Sequence, residues 1–149
     1  MGNWQFQHLG LEVRDLDKAV EYFQSLGFTL VPRPEVIAGS NSYRNFKMYG
    51  KTPDTEIKTR IRFIEKGSVQ YELPQPLEGY SIHNEFLDEK GEGISHVCYG
   101  VDDLDKEVAE LAKQGCPVIL SGEVPDRARF AYVDARKIGG LIYELVVRL

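Results

Sequence analysis

Cysteine is scarce in this chain, which has only Cys98 and Cys116 among its 149 residues. The two show neither CxxC spacing nor a disulfide framework, so the sequence predicts free thiols in a reducing compartment. No apolar run approaches the ~20 residues that span a bilayer. The first residues have neither the basic nor the apolar region of a signal peptide. These absences predict a cytoplasmic protein with no membrane partner.

Clustered positive charge is also lacking. The chain has 18 Lys and Arg against 23 Asp and Glu, a formal net charge of −5, and no basic run. Nucleic-acid backbones are bound by clustered Lys and Arg, so the composition argues against a nucleic-acid partner. A hydrophobic content of 42% is enough for a buried core in one compact domain. We therefore expect a small acidic cytoplasmic protein without a nucleic-acid partner.

What the sequence does contain is an internal repeat with a constant offset of 88 residues. The segment His8–Val20 recurs as His96–Val108, and eight of the twenty positions from His8 to Gly27 match without a gap. The repeat makes His8 equivalent to His96. The far ends of the two copies add a second matched pair of side chains, Glu72 and Glu144.

Each copy has the pattern of a strand, a helix and three further strands. Asp15 and Asp103 are good helix N-caps, and Gly27 and Gly115 are typical of helix ends. The sequence thus predicts one domain, residues 1–149, with βαβββ modules at 4–77 and 93–149 and a linker at 78–92 that holds a short helix. The predicted strands are Phe6–Val13, Phe28–Val31, Thr59–Ile64, Ser68–Leu73, Ile94–Val101, Pro117–Leu120, Arg129–Val133 and Leu141–Val147.

Side-chain alternation along the predicted strands places the two histidines and two glutamates on the same kind of face. In each strand one face is apolar and suits packing against a helix, and the His or Glu lies on the other face. An ionised glutamate in mid-strand is costly to bury without a partner. Two nitrogen and two oxygen ligands suit Zn, Ni, Co, Mn or Fe. We therefore predict one divalent metal per chain, held by His8, Glu72, His96 and Glu144.

The insertion Glu35–Glu56 is the main difference between the copies. It is rich in Gly, Ser, Asn and Tyr, and we expect a long loop that serves as a lid or wall. Its Tyr43, Phe46 and Met48 are candidate substrate-binding residues, with packing against a dimer partner as an equal alternative.

Four other side chains receive weaker assignments. Arg129 is a further candidate for substrate binding, through a phosphate or carboxylate. We expect Glu12 at a strand end in solvent and His83 exposed in the linker. Cys98, on the same predicted strand face as His96, is expected to pack as a small residue rather than to react.

Several motifs resemble the vicinal oxygen chelate superfamily, which includes glyoxalase I, methylmalonyl-CoA epimerase, extradiol dioxygenases and bleomycin resistance proteins. The resemblance covers nearly the whole chain and rests on His8–Val13, Tyr71–Leu77, Gly91–Cys98 and Gly139–Val146. Within the superfamily, Glu85–His96 is most similar to methylmalonyl-CoA epimerase. The chain departs from those sequences in having Ser95 where they have a histidine, and Arg60 where some have an acid/base glutamate.

The resemblance implies an α+β fold in which two βαβββ modules form one curved mixed sheet around a metal-centred cavity, often as a homodimer. It implies the metal ligands His8, Glu72, His96 and Glu144, and Glu144 and Glu72 are then candidate catalytic bases. The favoured function is a metal-dependent isomerase or epimerase that transfers an α-proton on a chelated acyl-CoA or oxoacid. The alternatives are a glyoxalase I-type lactoylglutathione lyase, an iron dioxygenase, and a drug-binding resistance protein without chemistry.

Overall fold

The fold is α+β, with one large curved sheet of ten strands and three α-helices, as the sequence predicts. The computed structural model describes residues 1–149. None of its helices is long and apolar enough to cross a membrane. In chain order the elements are β1 (Gln5–Glu12), α1 (Leu16–Ser25), β2 (Thr29–Leu30), β3 (Val36–Gly39), a 3-10 turn (Ser40–Ser42), β4 (Arg44–Met48), β5 (Lys58–Lys66), β6 (Val69–Glu78), α2 (Ile82–Lys90), β7 (Gly93–Gly100), α3 (Leu104–Lys113), β8 (Val118–Val124), β9 (Ala128–Ala135) and β10 (Leu141–Arg148).

Helices α1 and α3 begin and end in the same way. The carboxylate of Asp15 accepts a hydrogen bond from the backbone N–H of Lys18, and Asp103 accepts the equivalent bond from Lys106. These bonds satisfy amide groups that the first helical turn leaves without a partner. Past each C-terminus, Gly27 and Gly115 have φ values of +85° and +79°, a conformation that favours glycine. The predicted caps are therefore confirmed.

The sheet order is β2-β5-β6-β1-β7-β10-β9-β8-β4, with β3 paired to β5. In each copy of the repeat the first strand lies parallel to the last, as β1 beside β6 and β7 beside β10. The last strand is in turn antiparallel to the one before it, as β6 with β5 and β10 with β9. The His-bearing and Glu-bearing strands are therefore direct neighbours in both copies.

The expectation of a long loop at Glu35–Glu56 is wrong, because this segment contains two strands. Strand β3 pairs antiparallel with β5, and β4 pairs antiparallel with β8 at the end of the sheet order. Edge strands need little apolar content, and β4 has the polar sequence RNFKM. Its strand character comes from backbone pairing with β8, which a local pattern does not reveal.

The chain forms two compact units, each with its own apolar core. Residues 1–7, 40–54 and 96–149 form the first unit, and residues 8–39 and 55–95 form the second. In the first unit α3 packs on β9 and β10; in the second, α1 packs on β5 and β6. The buried core of the first unit comprises Val101, Leu104, Leu111, Ala131, Val133 and Leu145, and that of the second comprises Val13, Leu16, Ile64 and Leu73.

Glu12 and His83 are buried, so the expectation that both lie in solvent is wrong. Only 2% of Glu12 and 8% of His83 is exposed. Nδ1 of His83 lies 2.7 Å from a Glu12 carboxylate oxygen, and the Ser95 hydroxyl donates to the same oxygen at 2.8 Å. A buried carboxylate is tolerated when it is paired and hydrogen-bonded in this way. The contact joins α2 to the ends of β1 and β7.

Replacing Glu12 with alanine is therefore expected to lower the free energy of unfolding by about 3 kcal/mol, because His83 and Ser95 lose a buried charged partner. Urea denaturation followed by circular dichroism measures the change. The control is Glu92→Ala at an exposed position, for which a change within about 0.5 kcal/mol is expected. Equal stability of the two variants would contradict a structural role for the Glu12–His83 pair.

Candidate metal centre

One His–Glu pair lies in the second unit, on neighbouring strands. In the parallel register of β1 and β6, Gly10 is opposite Glu72, which brings the side chain of Glu72 beside that of His8. Nε2 of His8 lies 3.7 Å from a carboxylate oxygen of Glu72, and both side chains are nearly buried. The ring of Phe63, on β5 opposite Glu72, packs edge-to-face against His8 at a centroid distance of 5.3 Å.

A second His–Glu pair of the same construction lies in the first unit. Here Cys98 is opposite Glu144 in the parallel register of β7 and β10. Nε2 of His96 lies 3.5 Å from a carboxylate oxygen of Glu144, and the His96 side chain is only 1% exposed. Tyr132, opposite Glu144 on β9, packs edge-to-face against His96 at 5.1 Å. Cys98 is itself buried, in keeping with a packing role.

The aromatic ring that packs against each histidine is not predicted by the sequence pattern. Phe63 precedes Glu72 by nine residues, whereas Tyr132 precedes Glu144 by twelve, because the connecting hairpins differ in length. A repeat with a constant offset therefore does not align the two rings. Only an alignment that allows a gap in the hairpin would have revealed them.

The four side chains form a group that could hold a metal ion. The ligand atoms offered by His8, Glu72, His96 and Glu144 all lie within 4.8 Å of one another. Nitrogen and carboxylate ligands lie about 2.0–2.2 Å from a metal such as zinc, so two ligand atoms on one ion are at most about 4.4 Å apart. The observed spacing fits one ion after small side-chain adjustments. The donor set of two imidazoles and two carboxylates suits Zn, Ni, Co, Mn or Fe.

The insertion residues Tyr43, Phe46 and Met48 lie in the first unit, with the His96–Glu144 pair. Met48 is opposite Leu120, Leu120 is opposite Tyr132, and Tyr132 is opposite Glu144. Opposed residues share a face of a sheet, so Met48 is on the Glu144 face. Tyr43 and Phe46 stack at 5.9 Å, and Tyr43 contacts Phe130 at 5.2 Å.

Arg129 is not brought to that face. Its guanidinium donates two hydrogen bonds to Asp105 on α3, at 2.7 and 3.0 Å, and these bonds hold the pKa of the Asp105 carboxyl below its ordinary value. Arg129 alternates along β9 with Phe130, and thus shares the helix-packed face with Ala131 and Val133 of the core. Its side chain is engaged with α3, so the structure gives no support for substrate binding by Arg129.

The same helix-side ion pair occurs in the second unit. Arg60 of β5 donates to both carboxylate oxygens of Asp17 on α1 and also pairs with Glu35. These bonds lower the pKa of both acids. Asp17 and Asp105 are equivalent positions of the repeat, so each helix is tied to its sheet by one Asp–Arg pair. Arg60 is therefore held on the helix side.

Comparison with known proteins gives a consistent set of relatives. The model of the Glyoxalase/Bleomycin resistance protein/Dioxygenase superfamily matches residues 7–132. The uncharacterized protein YqjC of Bacillus subtilis (strain 168) is 28% identical over 92 residues, which are 60% of this chain and 66% of that protein. The chain thus matches slightly less than two thirds of that relative's length.

Solved structures match over nearly the whole chain. A hypothetical protein from Bacillus halodurans C-125 has a TM-score of 0.66 at 23% identity, covering 99% of this chain and 96% of that one. Methylmalonyl-CoA epimerase from Mycobacterium tuberculosis has a TM-score of 0.66 at 26% identity, covering 97% and 88%. A variant of the Streptomyces coelicolor epimerase, in complex with 2-nitronate-propionyl-CoA, has a TM-score of 0.62 at 20% identity, covering 97% and 95%.

Proposed function

Because this chain belongs to the glyoxalase/bleomycin resistance protein/dioxygenase superfamily, we propose that it is a divalent-metal-dependent isomerase or epimerase. It transfers an α-proton on an acyl-CoA or oxoacid substrate that presents two neighbouring oxygens. The observation that carries the proposal is the group of two equivalent His–Glu pairs whose ligand atoms lie within 4.8 Å of one another. A binding protein without chemistry would not need this complete set of ligands.

In this proposal His8, Glu72, His96 and Glu144 hold one divalent ion. When bound, the ion supplies Lewis-acid stabilisation of the negative charge that develops on the substrate oxygens as the α-proton leaves. The burial of both pairs excludes bulk water, which strengthens electrostatic interactions within the site.

The glutamates are the candidates for proton transfer. A general base must reach the proton that it removes within hydrogen-bond distance. A carboxylate that binds through one oxygen keeps a second oxygen with which it can accept a proton. We assign this role first to Glu144 and second to Glu72. Arg60 cannot take the role, because it carries no basic lone pair at neutral pH and is bonded to Asp17 and Glu35.

The epimerase proposal is supported by the structural relatives. Several of them are described as methylmalonyl-CoA epimerases, and one such enzyme is described in complex with methylmalonyl-CoA. From these relatives we infer that the substrate of this chain is an acyl-CoA or a related compound. The second candidate is a glyoxalase I-type lyase, which is favoured by the set of two histidines and two glutamates. Both candidates use the same four side chains and the same proton transfer.

One experiment separates the two candidates. The protein is incubated in deuterated buffer with a 2-methyl acyl-CoA ester, and in parallel with the hemithioacetal of methylglyoxal and glutathione, each with and without EDTA. We expect EDTA-sensitive deuterium incorporation into the ester, restored by adding back a divalent metal. Turnover of the hemithioacetal, with no deuterium incorporation into the acyl-CoA ester, would select the lyase. Exchange that EDTA leaves unchanged would contradict a metal-dependent reaction.

A further inference from the structure

A continuous line of aromatic rings runs outward from His96 within the first unit. The ring of Tyr132 contacts His96 at 5.1 Å, Phe130 contacts Tyr132 at 6.3 Å, and Tyr43 contacts Phe130 at 5.2 Å. The line ends with the stacked pair of Tyr43 and Phe46. We call Tyr43, Phe46, Phe130 and Tyr132 the aromatic wall. It combines two rings from β9 with two from the insertion and the edge strand β4.

The wall lies on the Glu144 face of the sheet. Tyr132 is opposite Glu144 and Phe130 is opposite Val146, so both rings share that face. Tyr132 is buried, whereas Phe130, Tyr43 and Phe46 are each half-buried. Three rings of the wall, Phe130, Tyr43 and Phe46, thus keep part of their surface accessible.

Gly122 gives Phe130 its position. A Cβ atom at this glycine would lie 2.8 Å from the tip of the Phe130 ring and 3.4 Å from the ring of Phe46. The backbone of Gly122 has no positive φ, so space for the two rings, rather than backbone conformation, is what requires glycine there. The absence of a side chain at Gly122 of β8 therefore leaves room for both rings.

From this arrangement we infer that the substrate carries a planar aromatic ring next to the two oxygens that the metal binds. The inference rests on the proposed function and narrows its substrate class to aryl-substituted 2-oxo acids or their acyl counterparts. Aromatic rings recognise one another edge-to-face or by offset stacking, at the centroid distances seen within the wall. A substrate ring can add to the line at Phe130, the half-buried ring nearest to His96, and Tyr43 packs against Phe130 from the outer side.

The position of the wall assigns the ring to the reacting part of the substrate. Tyr132 contacts the proposed ligand His96 directly, so the line of rings begins at the metal ligands. A ring on a remote carrier group would not need a wall that starts there.

The test compares two 2-oxo acids that differ only in the ring. Calorimetry measures the binding of pyruvate and of phenylpyruvate to the Co²⁺-loaded protein, and elemental analysis measures the metal in the same sample. Each ring contact contributes up to about tenfold in affinity. We expect phenylpyruvate to bind about tenfold more tightly than pyruvate. Phe130→Leu and, separately, Tyr43→Leu should reduce this ratio severalfold. Tyr99→Leu, which removes a ring packed with Trp4 and Tyr143 against the helix-side core, should leave it unchanged.

The outcomes distinguish the wall from the metal site. Equal affinity for the two acids in a protein that holds metal and binds pyruvate would overturn the aromatic substrate class alone. The aromatic substrate class would also be overturned if the affinity ratio of phenylpyruvate to pyruvate were unchanged in both Phe130→Leu and Tyr43→Leu. A third outcome is that the unmodified protein binds unacylated coenzyme A, the Phe130→Leu variant does not, and phenylpyruvate is not preferred over pyruvate. The wall would then bind the adenine ring of coenzyme A, which would overturn the assignment of an aromatic ring to the reacting part of the substrate. A protein that takes up no Co²⁺ and binds neither acid would overturn the proposed function, and the wall with it.

Discussion

Replacing Glu144 with glutamine is expected to slow proton exchange on the substrate by about 10²- to 10⁴-fold, the usual contribution of a general base. Glutamine has nearly the shape of glutamate and keeps one oxygen that can face a cation, but it cannot accept a proton. Because Glu144 lies in mid-strand between β7 and β9 with its backbone fully paired, the fold should be retained. Solvent deuterium incorporation measures the rate, and circular dichroism with thermal unfolding checks the fold.

Two further variants make this result specific. Glu72→Gln changes the equivalent position of the other pair, and we expect a smaller loss of exchange if Glu144 is the base. Glu110→Gln alters a carboxylate on α3 that pairs with Lys113, and it should leave the rate unchanged. A Glu144→Gln variant that exchanges at the rate of the unmodified protein would refute the assignment of Glu144. A large loss in Glu72→Gln alone would transfer the role to Glu72.

The repeat explains why much of the fold could be predicted from the sequence. Val13, Asp15, Leu16 and Gly27 recur with an offset of 88. In each copy they are a core residue just after the first strand, the helix N-cap, a core residue of the helix, and the glycine past the helix end. Each of these positions is set by local chemistry, since caps, apolar spacing and glycine at a helix end are readable one segment at a time. The two βαβββ modules, the three helices and the single curved sheet were therefore accessible to prediction.

The strands of the insertion and the burial of Glu12 and His83 could not be predicted in the same way. Strand β4 is polar and is held by pairing with β8, more than 70 residues further along the chain. Glu12 and His83 are 71 residues apart, and the pattern around each is that of a strand end and of a surface helix. In both cases a distant partner overrides the local preference, and a single sequence does not name the partner.

The candidate site also contains some residues that local sequence patterns predict and others that depend on distant partners. The two His–Glu pairs were predicted because the repeat makes them symmetric and strand alternation gives each a face. The aromatic wall was only half anticipated, through Tyr43 and Phe46, because Phe130 and Tyr132 join it through the register of β9 with β10. Arg129 was a candidate for substrate binding, but its hydrogen-bond partner Asp105 lies on a helix 24 residues earlier and keeps the side chain on the helix-packed face. Pairing and register, rather than residue type, decide which of these side chains reach the site.

The loss of bound metal on removing either histidine is the second large effect that we expect. His8→Ala and His96→Ala each delete one imidazole ligand and leave a carboxylate partner behind. Deleting a group that merely supports a ligand already costs 10- to 100-fold in metal affinity, so deleting a ligand should cost at least about 100-fold. The chain offers a matched control, because His83 is its one remaining histidine. Its ring is bonded to Glu12, and His83→Ala should keep the metal.

Elemental analysis of the purified protein, after dialysis against a divalent metal and removal of the excess, tests the central claim most directly. The four-ligand site predicts about one divalent ion per chain in the unmodified protein and in His83→Ala, and almost none in His8→Ala or His96→Ala. An unmodified protein that contains no metal and takes none up, or an equal loss in His83→Ala and His96→Ala, would contradict the claim that His8, Glu72, His96 and Glu144 together hold one ion.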